Sequence, residues 1–160
     1  MELDIFCLPS GGHGKVFSDC TQYAGGLYMK TVVTFRSDKF PPYEDEEEQI
    51  NPGMWGKRLA EYLVAELKKC GIDAGDIVAE DWGWYIPISD KSFPMAVCCG
   101  HQEGDTDEFL CFTDPGKPVI KKLFKSIDGT EKLTHLVDLL NTILTSDPDI
   151  RDVQWAEPDK

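Results

Sequence analysis

Ile77-Val78-Ala79-Glu80-Asp81-Trp82-Gly83-Trp84-Tyr85-Ile86-Pro87-Ile88 is the stretch that decides the fold. Its pattern changes from the helical period upstream to a period of two, which belongs to a strand. Gly83 interrupts the run, either bending one long strand or separating two, Ile77 to Trp82 and Trp84 to Ile88. The same period continues downstream, where Phe93 to Cys99 and Glu108 to Thr113 read as further strands. Their separators, Asp90-Lys91-Ser92 and Gly104-Asp105-Thr106-Asp107, are too short for a parallel crossover and predict an antiparallel meander.

Upstream, Thr31 to Phe35 is β-branched and aromatic and reads as a first strand. Pro41-Pro42-Tyr43 and the run Glu44-Asp45-Glu46-Glu47-Glu48 cannot extend it. They read as a solvated loop whose charge favours a helix N-terminus. Asn51 as cap and Pro52 at the first position start that helix, and Trp55, Leu59, Leu63 and Leu67 recur along it every fourth residue. Downstream, Pro118 is expected to open a short helix carrying Val119, Ile120, Leu123, Phe124 and Ile127. Asp128 and Glu131 stand at capping-box spacing before a longer helix with Leu133, Leu136, Val137, Leu140, Ile143 and Leu144 on one side. Ile150 to Trp155 reads as a last strand. The expected fold is α+β, a single-domain two-layer sandwich in which a mostly antiparallel sheet is covered by two to three helices.

Residues 1–28 look different: Pro9, Gly11, Gly12, Gly14, Gly25 and Gly26 punctuate them, and no period persists beyond Leu3 to Leu8. We expect 1–28 to be a loosely structured extension, 29–160 to be the α+β domain, and Met29 to be a natural start. Deleting the extension should then leave thermal stability nearly unchanged, and a large fall in melting temperature would reverse that reading. Its Ser10-Gly11-Gly12-His13-Gly14-Lys15-Val16 fails as a phosphate loop, since Pro9 replaces the first glycine and Val16 the magnesium-binding hydroxyl.

With 160 residues the chain can bury roughly 70% of its unfolded surface, so it needs neither metal nor disulfide to fold. Its formal net charge of −13 disfavours direct contact with nucleic acid or anionic membrane and permits a basic protein partner. The six cysteines are unevenly spaced and no secretory signal is evident, so a cytoplasmic setting with reduced thiols is expected.

Two stretches stand out as candidate sites. Strict alternation puts Glu80, Trp82 and Trp84 on one face, where the indoles either stack a ligand ring or pack beneath a helix. The second stretch, Glu44, Asp45, Glu46, Glu47 and Glu48, serves either as a solvated loop or as a docking surface for a basic partner. Glu80 and Asp81 do not make a hydrolase pair, because strand neighbours point to opposite faces. Cys99, His101 and Cys111 are the metal alternative and would make a third reading, a metal-dependent protein, although they lack a fourth ligand and vicinal Cys98 and Cys99 point to opposite strand faces; small apolar packing of the cysteines is the favoured reading. No metal or cofactor is therefore expected. Cys99 activated by His101 or His135 lacks the electropositive setting a thiolate needs. Glu103, Asp105, Asp107 and Glu108 lack the glycine and distal glutamate of a calcium loop. The function expected is a small acidic, non-catalytic protein-interaction or inhibitor-like module. The alternative is a small enzyme or ligand-binding protein with a pocket near Trp82, Trp84 and Glu80.

Overall fold

The computed structural model describes residues 29–101 and 104–158. The extension over 1–28, its phosphate-loop-like segment and Glu103 lie outside the described residues. The remainder is α+β. Strands β1 (Val32–Arg36), β2 (Val78–Glu80), β3 (Gly83–Ile88), β4 (Met95–Gly100), β5 (Glu108–Asp114) and β8 (Arg151–Ala156) form one sheet in the order β2-β3-β4-β5-β1-β8. Every neighbouring pair is antiparallel. Helices α1 (Lys57–Lys69) and α2 (Thr130–Ser146) complete the domain with the hairpin of β6 (Val119–Lys122) and β7 (Lys125–Asp128).

Alternation along the strands sorts the side chains. Val33, Phe35, Trp84, Ile86, Met95, Val97, Cys99, Phe109 and Cys111 share one buried face. Leu59, Leu63 and Leu67 of α1 and Leu133, Leu136, Leu140 and Leu144 of α2 join them in a single core. Burying each such leucine contributes about 1.5–3 kcal/mol relative to leaving it in water. The opposite face carries exposed Thr34, Gln154, Glu80 and Asp114 and half-buried Tyr85 and Phe112.

Three local expectations are corrected. The run is two strands rather than one bent strand, but the turn lies one step earlier than Gly83: Glu80 pairs with Gly83, so Asp81-Trp82 is a two-residue turn and Gly83 opens β3. Its φ of +148° lies outside ordinary side-chain territory, and a Cβ there would sit 2.7 Å from the Cys99 carbonyl oxygen. The first helix begins at Lys57, beyond Asn51, Pro52 and Trp55, because Gly53 and Gly56 take positive φ values and break any earlier helix. Lastly, the short helix expected from Pro118 is the β6–β7 hairpin. Ile120 and Ile127 pair directly across it and pack against the core, so their apolar spacing is satisfied by strand pairing. Leu123 and Phe124 form its tip, at 99% and 101% exposure. No helix among the described residues is long and apolar enough to cross a membrane.

Candidate functional site: an acidic rim and an aromatic groove

The two stretches singled out from sequence meet at one corner of the sheet, and a buried carboxylate joins them. Glu46 is 0% exposed. Its Oε1 accepts from the backbone N–H of Gly56 at 2.6 Å, from that of Lys57 at 2.7 Å and from the indole Nε1 of Trp84 at 2.8 Å. Its Oε2 accepts from the Tyr43 N–H at 3.1 Å. Glu46 thus caps α1 from outside the helix and locks the acidic loop to β3. The Asn51 N–H also donates to the Asp81 carbonyl at 3.3 Å, tying the far end of that loop to the β2–β3 turn. Neither a solvated nor a docking role is open to Glu46, which is buried. Glu44, Asp45, Glu47 and Glu48 are exposed, as are Glu80 and Asp81 beside them.

Charges farther along the same rim are arranged differently. Arg36 reaches Asp105 at 2.5 Å, Asp107 at 2.7 Å and Glu108 at 3.4 Å, while Arg151 pairs with Asp38 at 3.1 Å and also with Asp107. The Arg36 guanidinium holds the Asp107 carboxyl below its usual range. Asp105, Asp107 and Glu108 of the run suggestive of a calcium loop are engaged in these ion pairs. Among the described residues, no lysine or arginine forms an ion pair with Glu44, Asp45, Glu47, Glu48, Glu80 or Asp81.

The two tryptophans expected on one face are separated. The turn at Asp81-Trp82 breaks the alternation, so Trp84 enters the core at 2% exposure while Trp82 folds over the opposite face. There its indole meets Phe112 with ring centroids 5.4 Å apart. Glu80, Trp82, Tyr85, Cys98, Phe112 and Asp114 line a shallow groove of about 390 Å³. Tyr85, Cys98 and Phe112 lie side by side in register across β3, β4 and β5. Burial, reinforced by the nearby Asp114, pushes the Cys98 thiol up to about 12 and raises Tyr85 as well. Tyr85, Phe112 and Asp114 do not stand out in the sequence. Their signal is cross-strand register, which one strand's pattern does not contain.

Cys99, Cys111 and His101 are built into the core. Cys99 and Cys111 face each other across β4 and β5, and a hydrogen bond between the thiols, with burial, raises Cys99 well above its ordinary value. The His101 ring stacks on Trp55 at 3.5 Å, and its Nδ1 donates to the Glu108 carbonyl at 2.7 Å. It does not line the groove, and His135 is exposed on α2. Among the described residues no group of three or more His, Cys, Asp or Glu is placed to hold a metal ion. Comparison with protein-family models, with curated proteins and with solved structures finds no match.

Proposed function

We propose that this chain is a non-catalytic interaction protein, cytoplasmic and inhibitor-like, whose acidic rim docks a basic protein partner. One observation carries the reading: Glu44, Asp45, Glu47, Glu48, Glu80 and Asp81 are exposed and, among the described residues, form no ion pair with a lysine or arginine, Lys57 and Arg58 turning instead to Gln49 and the Tyr43 ring, whereas Arg36 and Arg151 neutralise the acids farther along that rim. Unpaired surface charge steers association and selects partner sign. Glu46 supports the reading from beneath, since it fixes the loop to α1 and β3 and so holds its neighbours outward. Register supports placing Glu80 with Tyr85 on the face of the sheet opposite Trp84, clear of the buried core. A small-ligand pocket formed by Trp82, Trp84 and Glu80 has less support, because Trp84 faces the core.

The test is affinity capture from the native host's lysate with the full chain, using as control a variant reversed at Glu44, Asp45, Glu47 and Glu48 with Glu46 kept. The expected result is a basic protein that the wild-type chain retains at low salt, releases at high salt, and that the reversed variant fails to retain. Equal recovery by both chains would overturn the proposal.

A further inference from the structure

The β6–β7 hairpin joins positive charge to a fully exposed apolar tip in an acidic chain. In a chain of net charge −13, Lys117, Lys121, Lys122 and Lys125 supply four of the sixteen basic residues within nine positions. Between them the tip presents Leu123 and Phe124, both fully exposed. Leu123 has φ of +41°, in the left-handed region that glycine or asparagine occupies more easily. An ordinary solvated turn has no use for two large apolar side chains held this way, and such placement marks a contact surface. The root is anchored, with Ile120 and Ile127 against the core and the Gly129 N–H donating to the Pro118 carbonyl at 2.8 Å. Four-residue strands carry the tip about 13 Å from that root.

The chain also carries the complementary surface. The groove offers Trp82, Tyr85 and Phe112 as apolar floor and wall, with Glu80 and Asp114 among its lining. An apolar tip flanked by lysines matches an aromatic groove bordered by carboxylates. The tip does not fill its own groove, as its full exposure demonstrates. We infer that the occupant is a second copy of this chain: each protomer inserts Leu123 and Phe124 into the groove of the other, with Lys121 and Lys125 meeting Glu80 and Asp114. The hairpin root follows Asp114 by only a few residues, so arm and groove lie on neighbouring parts of each protomer. A reciprocal exchange about a two-fold axis closes as a dimer and leaves no arm free to propagate. A lipid surface is the competing occupant of a basic, apolar prong, and the charge on the rest of the chain argues against it.

Sedimentation velocity of the full chain over a wide concentration series tests the dimer. The expected result is reversible dimerisation weakened at least about tenfold by Phe124→Asp and, separately, by Glu80→Lys with Asp114→Lys. Both changes are at exposed positions, and circular dichroism melts check that the variants fold. A third arm mixes the groove-reversed chain with a Lys121→Glu, Lys125→Glu chain, and restored association supports the assignment. A chain that stays monomeric at every concentration overturns the inference, as does a dimer indifferent to both sets of changes. Phosphatidylserine vesicles bound by a monomer in a Phe124-dependent way overturn it in favour of lipid. Glu80 is common to this groove and the acidic rim, and the two readings are told apart because the rim variant changes only Glu44, Asp45, Glu47 and Glu48 and leaves Glu80, Asp114 and the hairpin intact.

Discussion

The indole of Trp84 donates its Nε1 hydrogen to Oε1 of Glu46 at 2.8 Å, across 38 positions of sequence and inside the core. That bond makes the acidic loop part of the fold. Glu46 also satisfies the Gly56 and Lys57 N–H groups at the start of α1 and the Tyr43 N–H, so its loss leaves four donors without their acceptor, those of Gly56 and the Trp84 indole in fully buried bonds. Glu46→Ala should cost about 3 kcal/mol or more in urea unfolding, since each orphaned buried donor costs about 1–3 kcal/mol. Glu46→Gln keeps one acceptor oxygen but turns an amide toward the Tyr43 N–H, and should fall between the two. Equal stability of all three proteins would refute the anchoring role.

Gly83 opens β3 where the backbone of β4 passes closest. At φ +148° an added Cβ would stand 2.7 Å from the Cys99 carbonyl oxygen and 3.7 Å from the Gly100 Cα. Gly83→Ala should therefore destabilise by about 2–4 kcal/mol, combining backbone strain with displacement of the β3–β4 ladder. Gly71→Ala offers the control: its φ is +79° but its Cβ would meet nothing within 4 Å, so strain acts there alone and the loss should be smaller. Guanidinium unfolding of the two variants makes the comparison.

Alternation makes β3 and β5 legible in the amino-acid sequence, because each buries one face more deeply than the other, whereas β4 is buried at every position and is legible as an apolar run. The register among them is not legible there, and neither is the groove, since Tyr85, Cys98 and Phe112 meet only once three strands are aligned. The same alternation misplaces Trp82 and Trp84, because it does not anticipate a two-residue turn ending at a glycine. Val119 to Ile127 misleads in another way: spacings of three and four suit a helix, while Ile120 opposite Ile127 serves a hairpin equally well. Glu46 hides inside a run of like residues, and nothing local separates the one buried acid from its four exposed neighbours.

Acid should weaken the fold through the paired aspartates. Arg36 lowers Asp107, Lys132 and Ser92 lower Asp90, and Thr130 lowers Asp128. For Asp147 burial opposes ionisation, yet Lys39, the Asp149 N–H and Tyr62 together bring it below the usual range. Folded values below unfolded ones mean stability that is present above about pH 4 and lost as pH falls through the folded values. At the alkaline end the sign reverses. Cys98, raised by burial and by Asp114 to about 12, contributes stability that is present below its ordinary value and lost as pH climbs toward 12. Unfolding free energy measured across the pH range should form a plateau with both shoulders. Asp147→Asn should flatten the acid shoulder and Cys98→Ala the alkaline one.

The hairpin tip supplies a prediction with opposite signs at one position. Leu123 sits at φ +41°, and a left-handed conformation costs an ordinary side chain about 1–2 kcal/mol. Its side chain is fully exposed, so no packing within the chain offsets that strain. Leu123→Asn should stabilise the fold by about 0.5–1 kcal/mol, because asparagine tolerates this region without the extra unfolded-state freedom of glycine. Leu123→Val should destabilise it, as a branched Cβ is crowded most at positive φ. Both measurements belong in a Phe124→Asp background, where contact between copies no longer contributes. A stability gain for valine with a loss for asparagine would show that the tip does not hold this conformation in solution.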